Sequence, residues 1–466
     1  DHRDLHSFPT RRSSDLIVLG GVELAMVNIK PGFSQELMGK NVLILGYGVS
    51  GQSAELFISQ RGGKVFIYDE KPIKPKLGCA VSDVLNEHFD LCVTSPGFSL
   101  DHPVLRSLKD RGVPVVGELE LSFDASRWNY WIAVTGTNGK TTTTSFIGHL
   151  LRTAGFNVVV GGNIGVPVTS FLNEPISETI IVAEVSSFQL ETVHTFRPQV
   201  AVFLNLTPDH LDRHGSMENY FQTKARIFKL QQPQDLGVLN AEDRWASSLI
   251  GSLKSRTLAF GIEKGDVHWS EGFLNVLGTT VASVSDVKLR GRHNLANIAA
   301  GVAACYHLLP DGFDFASAIS QFCAPEHRIE FVRSVGGVSF YDDSKATNPD
   351  STIVALEAFQ EPVVVILGGR NKGMDFAALA EFIKRKSTVK WAVVMGEAKE
   401  SIKESLLVNG FENISEADSL EEAVHLAYEI AAPGDVVLLS PACASFDMFK
   451  NFEERGDRFK EIVRKL

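Results

Sequence analysis

The apolar positions of the chain fall in short, nearly continuous runs, and the stretches between them are longer and mixed in polarity. Short continuous runs bounded by glycine predict strands buried on both faces. Helix-length segments between them predict crossovers, so the pattern predicts α/β units built on parallel sheets. In a first block, Asn41-Val-Leu-Ile-Leu45 predicts a strand, followed by a glycine turn and a helix ending near Gly62-Gly63. Lys64-Val-Phe-Ile-Tyr-Asp69 and Phe89-Asp-Leu-Cys-Val-Thr94 predict two more strands, the last closed by Ser95-Pro-Gly97. In a second block, Trp131-Ile-Ala-Val-Thr135, Thr179-Ile-Ile-Val-Ala183 and Val200-Ala-Val-Phe-Leu204 predict strands. Helices are expected from Lys140 to about Ala154, from Met217 to Leu230 and from Asn294 to Leu308, with short strands over 253–290. A third block begins near Pro325, with strands at Pro362-Val-Val-Val-Ile-Leu367, Trp391-Ala-Val-Val-Met395 and Asp435-Val-Val-Leu-Leu-Ser440. The expected organisation is 26–118, 119–324 and 325–466, preceded by a tail or non-native extension over 1–25, with Met26 a plausible start.

Composition narrows the function classes. A chain of 466 residues with 44% apolar and 22% charged positions is an ordinary globular protein of more than one domain. A net charge of −11 argues against a nucleic-acid or anionic-membrane partner. The five cysteines (Cys79, Cys92, Cys305, Cys323, Cys443) are scattered and contain no Cys-x-x-Cys pair, which points to reduced thiols in the cytoplasm rather than disulfides or zinc. No apolar run reaches the roughly 18 residues of a membrane span.

The candidate chemistry sits in two glycine loops. Strand 131–135 runs into Thr135-Gly-Thr-Asn-Gly-Lys-Thr141 and then a helix. Backbone N–H groups at such a helix start point at phosphates, Lys140 adds a cation, and the Thr141 hydroxyl suits magnesium. The spacing departs from G-x-x-x-x-G-K-[ST], because Val134 stands five before Gly139. Magnesium needs further oxygen ligands. Glu184 closes one apolar strand and His210, beside Asp209, follows another, both where α/β sheets present ligands. The second loop, Gly46-Tyr-Gly-Val-Ser-Gly51 with Asp69 one strand later, matches a dinucleotide-binding pattern. It is compatible with a dehydrogenase or with a nucleotide-linked substrate; the latter leaves the phosphate loop a role.

The loop at 135–141 resembles the ATP loop of the Mur ligases, the enzymes that build the stem peptide of the bacterial cell wall. The resemblance extends to Gly161-Gly-Asn-Ile-Gly165, Glu184-Val-Ser-Ser-Phe-Gln-Leu190, His293-Asn294 with Asn297, His327-Arg328, Asp343-Ser-Lys-Ala-Thr-Asn348, Leu439-Ser-Pro-Ala-Cys-Ala-Ser-Phe-Asp447 and Lys450-Asn-Phe-Glu-Glu-Arg-Gly456. It covers nearly everything after residue 38, and the last two segments resemble the D-glutamate-adding branch. It implies a Rossmann-like UDP-binding domain, a central P-loop ATPase domain and a Rossmann-like amino-acid domain.

The implied reaction joins D-glutamate to UDP-N-acetylmuramoyl-L-alanine at the expense of ATP, through an acyl phosphate. The resemblance assigns Gly136, Thr137, Asn138, Gly139, Lys140, Thr141, Thr142, Asn294, Asn297, Arg328 and Asp343 to ATP. It assigns Val49, Ser50, Asp69, Gly97, Asn163 and His210 to the UDP substrate, and Lys345, Thr347, Lys372, Ser445 and Phe452 to D-glutamate. Two Mg2+ sites are implied, on Thr141, Glu184, His210 and a Lys224 carbamylated by carbon dioxide; Lys140, His210, Lys224 and Lys345 carry the catalytic roles. On its own pattern, Lys224 is an exposed helix lysine. The family often has threonine and arginine after the aspartate where this chain has Glu70 and Lys71. A cytoplasmic monomer is expected. The competing readings are a sister Mur-type or folylpolyglutamate-type ligase, an NAD-dependent oxidoreductase and a non-catalytic nucleotide binder.

Overall fold

The computed structural model describes residues 31–70, 87–163, 165–173, 178–323, 325–371 and 373–466. They form three twisted sheets with helices packed against them, as the apolar pattern predicts. The first sheet is parallel, in the order Lys64–Tyr68, Asn41–Leu45, Leu91–Thr94, Val115–Gly117. Val42, Ile44, Phe57 and Ile58 form one of its cores.

The second sheet has nine strands. Val158–Gly162, Ile180–Glu184, Tyr130–Thr135, Val200–Phe203, Leu236–Asn240 and Arg256–Phe260 lie side by side and parallel. Val267–Ser270, Phe273–Val276 and Thr279–Ser283 extend it; the last two pairings are antiparallel. Helices Lys140–Thr153 and His293–Cys305 cover one face through Phe146, Ile147, Ile298 and Val302. Trp131, Phe196 and Phe203 fill the other. Helix Glu118–Ser126 serves two cores: Leu121 packs with Val42 and Ile44, while Leu119 and Phe123 pack with Trp131 and Phe196.

The third sheet runs Glu330–Val335, Val338–Asp342, Val436–Leu439, Val363–Gly368, Val389–Met395, Ile414–Glu416, with only the first pair antiparallel.

The registers bring the chemistry together. Val134 lies opposite Glu184, and Glu184 opposite Gly162, so the phosphate loop, the Glu184 carboxylate and the segment containing Asn163 leave neighbouring strands at one edge. In the third sheet Asp342 lies opposite Leu439, and the loops 343–348 and 440–447 leave from the same edge. Ligands bind outside the carboxyl ends of parallel strands, and these two edges hold Thr141, Asn163, Glu184, Asp343, Lys345, Thr347 and Ser445 among the predicted residues.

Candidate functional site

The phosphate loop is held by the chain that follows strand Val200–Phe203. Thr137 N donates to Asn205 O (3.0 Å), Asn138 N donates to Asn205 Oδ1 (2.8 Å), and Asn205 Nδ2 donates back to Asn138 O (3.1 Å). Gly136 and Gly139 both have left-handed-side φ angles, 152° and 82°. An added Cβ would come within 2.9 Å of Leu204 Cβ at Gly136 and within 2.3 Å of Asn297 Oδ1 at Gly139. Glycine is therefore needed at both points, for backbone angle and for space. Helix Lys140–Thr153 starts directly after Gly139, so its free N–H groups open at the loop.

Around this helix start lie three lysines and the Glu184 carboxylate, with Asp209 close by. Thr141 Oγ1 donates to Glu184 Oε2 and Asn163 Nδ2 donates to Glu184 Oε1, both at 2.8 Å. Burial alone would raise the Glu184 carboxyl; the charges of Lys345 and Lys140 and these two hydrogen bonds outweigh it and hold the group below its usual value. Lys140 Nζ donates to Thr137 O at 2.6 Å. Burial depresses its pKa, partly offset by Glu184 and Asp209. Lys224 departs from its sequence pattern: it is 1% exposed, donates to Gly136 O at 2.8 Å and lies 4.7 Å from the Tyr220 ring centre. Burial, reinforced by Lys140, drives its pKa well below that of a free lysine. His210 has a left-handed backbone (φ 53°), its Nε2 is 3.5 Å from Asp209 Oδ2, and its ring meets Phe188 edge to face at 4.7 Å.

A cavity joins the second and third sheets. Asn138, Gly139, Thr142, Asn294, Asn297, Arg328 and Asp343 line it, together with His293, Ser351 and a few apolar side chains. Seven residues predicted to meet the nucleotide thus come from four separate stretches of chain to one space. Asn297 Nδ2 donates to Asn294 Oδ1 (2.9 Å), and Ser351 Oγ donates to Asn138 Oδ1 (2.8 Å) across the two units. Burial raises the Asp343 carboxyl to about 7, against the opposing charge of Arg328 and the hydrogen bond from Ser440.

On the far side, Lys345 Nζ lies 5.0 Å from the Phe452 ring centre. Burial lowers its pKa to about 8, with Glu184 opposing the shift. Thr347 is half-buried and Ser445 is buried; the Ser445 carbonyl accepts from Met448 N and Phe449 N. The prediction at Lys372 falls outside the described residues.

In the first unit, Val49 is 65% exposed at the start of helix Val49–Gln60, Ser50 follows it, and Gly97 is exposed. Asp69 Oδ2 accepts from Tyr47 N at 2.6 Å, so this carboxylate braces the glycine loop itself. At Gly51 a Cβ would lie 2.1 Å from Gly46 O, which is the close helix approach that the third glycine permits.

Two bracing residues take no role from the sequence. Asn205 is one. Arg455, within the segment Lys450–Gly456 but with no task of its own there, is the other: fully buried, it donates from Nε to Ser344 Oγ (3.0 Å), from Nη2 to Ser344 O (2.7 Å) and from Nη1 to Cys443 O (3.1 Å). It ties the 343–348 and 440–447 loops to helix Phe452–Lys465.

Comparison with known proteins gives the family. Residues 134–305 match the Mur ligase middle domain, and residues 327–443 match the Mur ligase, glutamate ligase domain. The UDP-N-acetylmuramoylalanine–D-glutamate ligase of Pelotomaculum thermopropionicum is 46% identical over 451 residues, spanning 92% of this chain and 98% of that protein. Among solved structures, the fold is similar to that of the UDP-N-acetylmuramate-alanine ligase of Thermotoga maritima (TM-score 0.60, 22% identity, 91% of this chain and 99% of that one). It is also similar to that of the MurF ligase of the same organism, solved in complex with ADP (TM-score 0.59, 19% identity, 93% and 97%). The chain belongs to the UDP-N-acetylmuramoylalanine–D-glutamate ligase family of the Mur ligases.

Proposed function

We propose that this chain is an ATP-dependent ligase that joins D-glutamate to UDP-N-acetylmuramoyl-L-alanine in peptidoglycan precursor synthesis, acting in the cytoplasm as a monomer. The observation that carries the reading is the shared cavity: Asn138, Gly139 and Thr142 face Asn294, Asn297, Arg328 and Asp343 across it, beside three lysines and Glu184. Among the described residues, no helix is long and apolar enough to cross a membrane.

In the proposed reaction the terminal carboxylate of the UDP substrate attacks the γ-phosphorus of ATP, and ADP leaves. The amine of D-glutamate then attacks the acyl-phosphate carbon; inorganic phosphate leaves and the amine loses its proton. The first step brings a carboxylate to a polyphosphate, so like charges must be neutralised. Lys140 and the free N–H groups at the start of helix Lys140–Thr153 take the phosphates, and Asn163 and His210 flank the attacking carboxylate. Arg328, Asp343, Asn294 and Asn297 hold the nucleotide. Val49, Ser50, Asp69 and Gly97 take the uridine diphosphate. Lys345, Thr347, Lys372, Ser445 and Phe452 take D-glutamate, whose two carboxylates suit cations and hydroxyls.

The donor set fits magnesium. The Thr141 hydroxyl and the Glu184 carboxylate are hard oxygen donors already aligned on each other, with His210 the less suited nitrogen donor. When bound, Mg2+ supplies charge neutralisation on the phosphate oxygens. Lys224 suits carbamylation. Its burial favours the neutral amine, which attacks carbon dioxide, forms an N–C bond and releases one proton, leaving an oxygen anion beside the loop.

Phosphate release is measured with the UDP substrate, ATP and Mg2+ plus D-glutamate, L-lysine, diaminopimelate or L-alanine in turn. Release with D-glutamate alone is expected, and turnover with any other amino acid overturns the assignment. With 13C-bicarbonate, a carbamate resonance that disappears in Lys224→Gln is expected; its absence from the unaltered protein refutes that role.

A further inference from the structure

His210 occupies a left-handed backbone conformation that non-glycine residues rarely hold unless their surroundings over-determine it. Those surroundings lead out of the site. The His210 ring meets Phe188 edge to face at 4.7 Å. On the same Phe188 ring lies the Arg213 guanidinium, 4.5 Å from the ring centre. Backbone N–H groups of Arg213 and His214 both donate to His210 O at 3.1 Å, closing the turn.

Arg213 itself is fixed from two directions. Its Nε and Nη2 donate to the two oxygens of Glu191 at 3.2 and 2.5 Å, a two-pronged pairing. Its Nη2 also donates to Phe98 O, at 3.3 Å, in the first unit. Phe98 directly follows Gly97, and its ring packs on Tyr68, the residue before Asp69. Gly97 and Asp69 are the positions proposed for the uridine diphosphate. One side chain therefore touches the loop proposed to hold the UDP group and the ring that supports His210.

We infer that Arg213 is a positioning residue that links the Gly97–Phe98 loop to His210, so that seating of the UDP substrate and placement of His210 depend on each other through Arg213 and Phe188. This rests on the proposed role of the Gly97 loop in holding a uridine nucleotide. Arg213 touches neither ATP nor D-glutamate in that scheme, so its loss should register on one substrate and on turnover. Lysine keeps the charge but lacks the planar fork that pairs with Glu191 while reaching Phe98 O, so it should fail as a replacement.

The test compares Arg213→Lys, Arg213→Gln and Glu191→Gln with the unaltered protein in thermal melting, in calorimetric titration with UDP-N-acetylmuramoyl-L-alanine, and in steady-state kinetics. Both Arg213 variants should weaken UDP-substrate binding on the order of tenfold and lower kcat by a similar factor. KM for ATP and for D-glutamate should stay within about twofold. Glu191→Gln should show the same pattern more weakly. Unchanged UDP-substrate affinity in Arg213→Lys overturns the inference. So does a fall in melting temperature with all three KM values moved alike, the mark of a merely structural residue. If the unaltered protein binds the UDP substrate but turns over with another amino acid, the assignment to D-glutamate fails while the calorimetric test of Arg213 still stands. If it binds no uridine nucleotide, both readings fall.

Discussion

Replacing Gly139 by alanine tests the phosphate loop at its tightest point. Two costs arise there. The first is backbone: φ is 82°, and an L-residue in the left-handed region costs about 1–2 kcal/mol. The second is steric: the new Cβ would stand 2.3 Å from Asn297 Oδ1 and 3.2 Å from Asn297 Cγ. Asn297 would have to move, and it accepts from Thr143 Oγ1 (3.4 Å) and donates to Asn294 Oδ1 (2.9 Å). Leaving a buried polar group without its partner costs about 1–3 kcal/mol. Together the substitution should destabilise by about 2–5 kcal/mol, which for a unit of this size lowers the melting temperature by roughly 4–20 °C. Because Asn294 and Asn297 both line the cavity proposed for the nucleotide, KM for ATP should also rise, on the order of tenfold or about 1.4 kcal/mol. Gly155 supplies the control at the other end of the same helix. There Gly155 N donates to Arg152 O and Phe156 N to Leu151 O, a turn that needs φ near 90°, and nothing lies within 4 Å of an added Cβ. Gly155→Ala should show the backbone cost alone, about 1–2 kcal/mol, with ATP kinetics untouched. Scanning calorimetry and phosphate release against ATP concentration measure both effects. If Gly139→Ala melts with Gly155→Ala and keeps its ATP KM within twofold, the steric argument is refuted.

Three further outcomes are expected. The Asp343 carboxyl is raised to about 7 by burial, so the folded state carries a penalty that sets in as pH rises above the ordinary carboxyl range and is complete above about 7; the melting temperature of Asp343→Asn relative to the unaltered protein should therefore climb from pH 5 to pH 8, and a constant difference would contradict this. Lys345, lowered to about 8, is a cation below that pH and neutral above it, so KM for D-glutamate should rise as pH passes 8; a flat KM from pH 7 to 9 would remove Lys345 from that role. Arg455→Lys cannot reproduce three hydrogen bonds to Ser344 and Cys443, and the buried acceptors left behind should cost about 3 kcal/mol or more, with D-glutamate binding lost before ATP binding; equal losses for both ligands in titration calorimetry would count against the loop-bracing role.

Much of the fold was legible because its signals are local. Asn41–Leu45 and Tyr130–Thr135 form strands where continuous apolar runs predict them, since a parallel strand covered on both faces needs no alternation. The helix expected from Lys140 to about Ala154 ends at Thr153, stopped by the Gly155 turn. The part of the site that strand ends expose was legible for the same reason: Thr141, Asn163 and Glu184 leave adjacent strands, and the two bonds between them follow from register. Lys224 was not. Thr223-Lys-Ala-Arg226 is a polar helix segment, and its buried amine meets Tyr220 and Gly136, the latter 88 positions away. Lysines are hard to rank by pattern because their charge state is set by what surrounds them in space. Lys140 is buried but has Glu184 and Asp209 to oppose the loss of its charge, and Lys345 is lowered only to about 8. Lys224 feels the same two carboxylates, but it is buried against a carbonyl and the Lys140 charge adds to the cost of its own, so its pKa falls well below that of a free lysine. Three identical side chains around one loop are thereby suited to three tasks: a cation for phosphate, a cation for a carboxylate, and an amine neutral enough to react with carbon dioxide.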